Sequence, residues 1–328
     1  MNGSGPQWEL FMKSILLRPD VCFNQIGFNP QEFEEFYQEM EQSLINYTHR
    51  HTKRRRHSEG KMVYPHRLQL FLTLHWLRRY PSCRDLSAFY GIHYETLQHF
   101  YERCVGAMAE NLVEEVPIFS HDELEKEGRK WANSLGPDFE GVAAVIDGTC
   151  IRIYHPGIKK FARQSWVSRK AAFCVNVLVA VSIDGKFMNI GTPVYGGNDQ
   201  ADWKHSDWRS IFLYEDYGIM GDAGFTFNPK SESTPIKGIT PARRPKGGIL
   251  TRAQLKRNRE IASWRVVVEN TIAQWKQWRI LGGTYRHSKV FTRNRVQLRD
   301  IVIVTCVLTN RRLKSTPLRE EGWQAKWS

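Results

Sequence analysis

The sequence predicts a mixed α/β sheet with helices on its faces, preceded by an all-helical region. Apolar runs closed by turn residues indicate three consecutive strands, and the Asp184-Gly185 pair favours an antiparallel hairpin between the second and the third. An amphipathic helix then leads to a fourth strand. A strand that is reached through a helix is expected to run parallel to its neighbour in the sheet, which makes the sheet mixed. The segment 141–156 is expected to form an apolar strand that ends at Asp147, then a turn at Gly148 and an alternating run. Further strands are expected at 171–185, at 186–197 and in 217–225, where the strand ends at Asp222, and helices at 203–217, 253–280 and 300–312.

The long helix at 253–280 contains a β-prone run, Arg265-Val266-Val267-Val268. We still expect a helix there, because Ile261, Val268 and Trp275 fall on one helical stripe and packing often overrides local propensity. The preceding segment, 228–252, is rich in Pro, Gly, Lys and Arg and is expected to form an exposed loop.

The N-terminal part predicts a helix-turn-helix. Ser87 is small enough for two helices to cross closely, Gly91 suits a sharp turn, and Leu97 is placed to fill the core between them. An ordinary helical hairpin fits equally well, because Glu95 and Glu102 would repel phosphate from the second helix. The expected organisation is a helical segment at 1–47, a basic linker at 48–64, the helix-turn-helix-like region at 65–135, the α/β domain at 136–315 and a tail at 316–328.

Composition indicates a polyanionic partner. Lys and Arg number 47 against 34 Asp and Glu, a formal charge of +13, which favours nucleic acid over a membrane. No apolar stretch approaches 18 residues, so no membrane span is expected. The 6 cysteines are scattered without a C-x-x-C pair, which argues against a disulfide framework or zinc finger and fits a reducing compartment.

Two aspartates end apolar strands. Asp147 closes VAAVID and Asp222 closes IMGD, and a carboxylate buried there costs several kcal/mol unless it has a partner. Glu269 lies near the inward stripe of the long helix and can face the same edge of the sheet. Converging carboxylates favour Mg²⁺ or Mn²⁺, and a pair of such ions supports phosphodiester cleavage. For each acid alone, a helix cap, a turn or a surface ion pair remains the alternative.

Other polar residues are interpreted as structural. Cys150 and Asp184 lack a comparable context. Asp199 precedes a helix, so an N-cap role is favoured over a role as a fourth acid.

Three segments resemble the catalytic blocks of PIF/Harbinger transposases: VIDGT at 145–149, IMGDAGF at 219–225 and REIASWRVVVENTIAQWKQWRIL at 259–281. The resemblance implies an RNase H-like fold, Asp147, Asp222 and Glu269 as catalytic metal ligands, and cleavage of transposon ends followed by joining to A/T-rich target DNA. It also implies a nuclear location and a Myb-like DNA-binding partner. A homodimer is expected, since two ends must be exchanged.

Basic residues mark the expected path of double-stranded DNA. Residues 237–259 hold eight Lys or Arg and no acid, so they can follow phosphates, unless the segment is merely a solvated disordered loop. Arg265 is expected either to contact the scissile phosphate or to pair with Glu269. Trp275 and Trp278 could stack on an extruded base, although core packing is favoured for Trp275. The DNA-binding candidates are Lys170, Arg243, Arg244, Lys246, Arg252, Lys256, Arg257 and Arg265.

The sequence thus predicts a metal-dependent DNA endonuclease and strand-transferase that cuts transposon ends and joins them to a target. Two alternatives remain open at this point. One is a domesticated descendant that binds DNA or protein, and the other is a nuclease of the same fold that does not transpose.

Overall fold

The computed structural model describes residues 6–51, 64–135, 137–139, 141–213, 217–227, 236–286 and 297–319. The chain forms two compact units. The first contains Met1–Glu115 and Lys276–Thr305, and the second contains Val116–Trp275 and Cys306–Ser328. Across the described ranges, no helix combines the length and apolar character that a bilayer-spanning segment needs.

The first unit is helical. Its helices are α1 (Gln7–Leu16), α2 (Pro19–Ile26), α3 (Pro30–His51), α4 (His66–Arg79), α5 (Cys83–Tyr90) and α6 (Tyr94–Asn111). Helix α4 is its centre, because every residue from Leu68 to Arg78 is buried. Helix α3 runs into the expected linker, of which residues 52–63 lie outside the described part.

The predicted turn at Gly91 is present between α5 and α6. Gly91 has φ 66° and caps α5, and the side chain of Leu97 is fully buried. The side chain of Ser82 accepts a hydrogen bond from the backbone N–H of Asp85 and so begins α5. This geometry agrees with the predicted hairpin of helices, while a role of α6 in reading DNA stays a prediction.

The second unit is a mixed sheet with helices. Its elements are α7 (His121–Leu135), β1 (Val142–Ile153), α8 (Lys159–Ser165), β2 (Trp166–Val167), β3 (Ala172–Val181), β4 (Phe187–Ile190), β5 (Val194–Tyr195), α9 (Asp199–Lys204), α10 (Trp208–Leu213), β6 (Gly218–Met220), β7 (Lys237–Ile239) and α11 (Arg252–Trp275). The strand order is β2-β3-β1-β6-β7. β1 is antiparallel to β3 and parallel to β6, and β6 is parallel to β7. β4 and β5 both pair with β3.

Several elements differ from the sequence prediction. Strand β1 runs through Gly148 to Ile153 without the turn expected after Asp147, because Gly148 pairs with Leu178 of β3. The third strand is split into β4 and β5, with Pro193, which has no backbone N–H, lying between them. The helix at 203–217 is two short helices, α9 and α10, and α9 begins already at Asp199. The segment 228–252 is not a loop throughout, because Lys237–Ile239 forms β7, while residues 228–235 lie outside the described part.

Alternation along β1 directs its residues to opposite faces of the sheet. Ile146 belongs to a buried cluster with Trp203 of α9 and Phe212 of α10. Gly148 therefore lies on the face that α9 covers, and Asp147 lies on the opposite face. Helix α11 also packs against β1 and β3, and its Thr271 hydroxyl donates to the Gly185 carbonyl at 2.9 Å.

Helix α11 starts with a capping box. Thr251 Oγ1 accepts from the Gln254 N–H at 3.2 Å, and Gln254 Oε1 accepts from the Thr251 N–H at 2.9 Å. The helix ends at Trp275, earlier than the predicted 280, and α12 (Arg279–Gly282) and β8 (Thr284–Tyr285) follow in the first unit. The last helix, α13, spans Leu298–Ser315.

Candidate active site

Asp147 is a half-buried carboxylate in the middle of the sheet. Its Oδ1 accepts the Gly148 backbone N–H at 2.8 Å, which orients the side chain. Burial raises the pKa of Asp147 to about 6. The nearby Arg265 and the Gly148 N–H lower that pKa, whereas the carboxylates of Asp199 and Asp222 raise it further. The site therefore concentrates negative charge that one arginine only partly offsets.

Asp222 is aligned with Asp147 by the pairing of two parallel strands. Val145 of β1 pairs with Met220 of β6, and each aspartate comes two residues after its paired position. The pairing therefore brings the two carboxylates close together, as the sequence predicted. Asp147 nevertheless lies within β1, which continues to Ile153, whereas Asp222 follows the end of β6 at Met220. The Gly224 N–H donates to Asp222 Oδ1 at 2.7 Å and fixes the turn that carries this carboxylate.

Glu269 is not gathered with the two aspartates. Its side chain is 58% exposed, and its Oε1 lies 3.9 Å from Nη2 of Arg265, one helical turn earlier. In the described part of the chain, no three His, Cys, Asp or Glu side chains come together closely enough to hold one metal ion. The expected convergence of three carboxylates is therefore absent, because Glu269 pairs with Arg265 instead.

Arg265 interacts with both Glu269 and Asp147. Its side chain is only 14% exposed, and its charge acts on both Asp147 and Glu269. The Nε atom is buried without a hydrogen-bond partner among the residues that the structure describes. Of the two roles expected for Arg265, pairing with Glu269 is the one present here.

Asp199 belongs to the acidic site, contrary to the N-cap role that the sequence favoured. The side chain of Asn198 caps α9 by accepting the Ala201 N–H at 3.1 Å, and Asp199 is the first helical residue. Asn176, buried in β3, donates from Nδ2 to Asp199 Oδ1 at 2.8 Å and to Asp202 Oδ2 at 2.6 Å. Burial raises the pKa of both carboxyl groups, and the Asn176 bonds oppose that rise.

Gly148 gives Asp199 the room to approach β1. A Cβ atom at position 148 would lie 1.5 Å from Asp199 Oδ1 and 3.0 Å from Asn176 Nδ2. Because Gly148 has no side chain, a third aspartate lies directly against β1 beside Asp147. The segment after Asp222 is tied to α9 as well, since Gln200 and Thr226 exchange hydrogen bonds of 3.2 Å and 2.6 Å.

Carboxylate oxygens are the donors that Mg²⁺ and Mn²⁺ prefer. Asp147 and Asp222 fit such an ion because the pairing of β1 with β6 brings them close together and their charge is only partly offset. Asp199 adds to that charge, whereas Glu269 would have to turn away from Arg265 to join them.

Hydrogen bonds connect the basic segment before α11 to the rest of the second unit. Asn258 of α11 accepts the Ala242 N–H at 2.8 Å and donates to the Ala242 carbonyl at 3.0 Å. Arg243 Nε donates to the Ala223 carbonyl at 2.5 Å, directly after Asp222, and Arg244 Nε donates to the Gly248 carbonyl at 2.8 Å. The exposed basic candidates are Lys170, Arg243, Arg244, Lys246, Arg252, Lys256 and Arg257.

The predicted base-stacking tryptophans are unsuited to that role. Trp275 is fully buried, as favoured, and Trp278 is 4% exposed, so neither offers a ring face to DNA. Sequence reasoning missed Trp166, which is 47% exposed in β2. It lines an open cleft of about 600 Å³ together with Asp199 and Asp222.

Comparison with protein families gave a match. A family model described as DDE superfamily endonuclease matches residues 146–310, half of the chain, and the match includes Asp147, Asp222 and Glu269. Searches of curated proteins and of solved structures found no match. The mixed sheet with flanking helices is the RNase H-like arrangement expected from the sequence. The chain belongs to the DDE superfamily of endonucleases.

Proposed function

We propose that the protein is a divalent-metal-dependent DNA endonuclease that cuts transposon ends and joins them to target DNA. Asp147, Asp222 and Glu269 are its proposed catalytic metal ligands. The observation that carries the proposal is the strand register, which aligns Asp147 and Asp222 on neighbouring parallel strands. Family membership supports endonuclease chemistry in general, and the joining step rests on the resemblance to PIF/Harbinger transposases.

Asp147 and Asp222 would hold the cations, because a carboxylate that is partly buried in a sheet needs a positive partner. When bound, Mg²⁺ or Mn²⁺ supplies charge stabilisation at the scissile phosphate and activates the attacking water. The Gly148 and Gly224 N–H groups hold Asp147 and Asp222 in fixed rotamers before substrate arrives. That preorganisation avoids reorienting the ligands during the reaction.

Glu269 completes the site by leaving Arg265. Its ion pair is 3.9 Å long and its carboxylate is largely exposed, so redirecting it costs about 1 kcal/mol or less. Without this ion pair, the guanidinium of Arg265 can bind a phosphate oxygen. Contact with the scissile phosphate is the other role that the sequence predicted for Arg265.

Double-stranded DNA is the proposed substrate, and the basic segment is its proposed binding surface. Arg243 is bonded to the residue after Asp222, so its exposed charge lies beside the acids. Lys170, Arg244, Lys246, Arg252, Lys256 and Arg257 would add phosphate contacts of the salt-dependent kind. A nuclear location, a Myb-like partner and a homodimer are further parts of the proposal.

Plasmid cleavage tests the proposal without knowledge of the transposon ends. The full chain is incubated with supercoiled plasmid in Mg²⁺ or Mn²⁺, beside Asp147→Asn, Asp222→Asn and Glu269→Gln. The matched control is Asp207→Asn, an exposed carboxylate in the same unit. We expect the three site variants to lose at least 100-fold in rate, in the range seen when a charge-stabilising group is removed, and the control to cut normally.

Three results would count against the proposal. Equal cleavage by wild type and all three site variants would overturn the assigned site. DNA binding without cleavage in either metal would favour a domesticated binding protein, and cleavage without joining of the 3′-hydroxyl ends to a second plasmid would favour a simple nuclease.

A further inference from the structure

We infer that the cleft beside Asp199 and Asp222 binds one unpaired nucleotide of the DNA strand, with the Trp166 indole stacked on its base. The inference rests on the proposed function and deepens it, because it names the form of DNA that the site takes. The cleft has a volume of about 600 Å³, which lies within the usual range of small-ligand sites. A single nucleotide therefore fits into the cleft and a duplex does not.

Trp166 provides the stacking surface. Nearly half of this large apolar side chain is exposed, at the wall of the cleft. Its ring is held edge-on against Phe173, with centroids 5.0 Å apart, so its orientation is set before a ligand arrives. Any base can stack on an indole, which makes such a surface tolerant of sequence.

A second aromatic side chain lines the same cleft. Tyr195 of β5 is stacked on Phe161 of α8, with centroids 5.1 Å apart. Gly197 lies between these walls, and a Cβ atom there would come within 2.9 Å of Val167 Cγ2. The absence of a side chain at position 197 lets the backbone pack against β2.

The cleft contains a basic group, Arg169, close to the acidic groups of Asp199 and Asp202. Arg169 is 63% exposed, with Nη2 3.7 Å from Asp199 Oδ2, so it can reach a phosphate oxygen. Asp199 and Asp202 would repel a phosphate, but their oxygens can accept from the exocyclic amino group of a base. This division places the base towards α9 and the backbone towards Arg169.

The position of Asp222 in the cleft wall connects the nucleotide to the reaction. A base held on Trp166 would keep the adjoining phosphodiester beside a proposed catalytic carboxylate. An unpaired nucleotide satisfies this geometry, whereas a base within a duplex would first have to leave its stack.

The test measures binding without cleavage. The full wild-type chain in EDTA is titrated with two duplexes, one blunt and one carrying a single-nucleotide overhang of 2-aminopurine. We expect overhang binding to quench 2-aminopurine fluorescence. Trp166→Ala should weaken overhang binding roughly 10-fold and leave the blunt duplex unchanged, whereas Trp166→Phe should retain most of the overhang affinity.

The matched control is Tyr154→Ala, another exposed aromatic residue of the same unit, 58% exposed and not part of the cleft wall. It should bind both duplexes as wild type does. Equal affinity of wild type and Trp166→Ala for the overhang would overturn the inference, and so would an equal loss on both duplexes. Because no cleavage occurs in EDTA, these results are independent of whether the plasmid assay succeeds.

Discussion

The carboxylate of Asp199 lies in the space that a side chain on Gly148 would need. A Cβ atom at position 148 would fall 1.5 Å from Asp199 Oδ1 and 2.2 Å from its Cγ, far inside any van der Waals contact. Asn176 holds the carboxylate there through a 2.8 Å hydrogen bond. An acid of α9 is thereby fixed one residue from Asp147.

Gly148→Ala is therefore expected to destabilise the second unit and reduce cleavage. The added methyl group must displace Asp199, and overpacking of this kind costs about 1–3 kcal/mol. The double variant Gly148→Ala with Asp199→Ala removes the obstructing carboxylate, so it should recover most of the lost stability. Urea unfolding followed by circular dichroism measures Gly148→Ala, Asp199→Ala and the double variant.

Gly128→Ala is the control for this cycle. Gly128 lies in α7, where a Cβ atom would be 3.3 Å from the Gly141 carbonyl oxygen, and alanine favours a helix by up to about 1 kcal/mol. Little net change is expected there. Additive effects of the two substitutions at 148 and 199 would contradict the steric explanation.

Asp147→Asn should stabilise the metal-free protein while abolishing cleavage. The folded-state pKa of Asp147 is about 6 against 3.8 for the free group, so folding favours its protonated form. The penalty for ionising it is absent below pH 3.8, grows as the pH rises, and is complete above pH 6. Asparagine carries no charge and can still accept the Gly148 N–H.

The expected gain is roughly 2–3 kcal/mol above pH 6, and it should shrink towards zero near pH 4. The free energy of unfolding in EDTA at pH 4, 6 and 8 measures it, with Asp207→Asn as the exposed control. If Asp147→Asn is no more stable than wild type at pH 8, the ionised Asp147 carboxylate does not destabilise the folded protein.

The sequence predicted that Asp147 and Asp222 lie close together, because each follows an apolar run and parallel pairing of these runs brings the acids to neighbouring positions. Their role as metal ligands stays a prediction. Asp199 could not be assigned in the same way, because its role depends on Asn176 of a distant strand and on Asn198 taking the cap. The Asn198-Asp199 pair indicates the start of a helix, but the sequence does not show which of the two residues caps it.

Longer elements were predicted better than short ones. Helix α11 formed despite its β-prone run, because its apolar stripe packs on the sheet. Strand β7 has only Lys237-Gly238-Ile239 and no periodicity to detect, so it was expected to be loop. The exposure of Trp166 and the burial of Trp278 depend on tertiary contacts that spacing does not encode.

Asn258→Ala should loosen the basic segment without unfolding α11. Asn258 makes both hydrogen bonds to Ala242, so its loss leaves that backbone unpaired. We expect faster trypsin cleavage after Arg243 and Lys246 and weaker binding to plasmid DNA. Asn270→Ala, an exposed residue on the same helix, is the control. Unchanged proteolysis in Asn258→Ala would mean that other contacts hold the segment.

His75 should make the helical first unit sensitive to mild acid. Its Nε2 pairs with Gln25 Oε1 at 3.0 Å and its Nδ1 with the Tyr90 hydroxyl, and burial, aided by Arg79, lowers its pKa to about 4. Between pH 6.5 and 4, His75 is protonated in the unfolded chain but not in the folded chain. The free energy of unfolding therefore decreases as the pH is lowered, by at most about 3 kcal/mol. Urea unfolding at pH 4.5 and 7 should show this fall in wild type and in His93→Gln, an exposed-histidine control, but a smaller fall in His75→Gln. The same pH dependence in all three proteins would exclude His75 as its source.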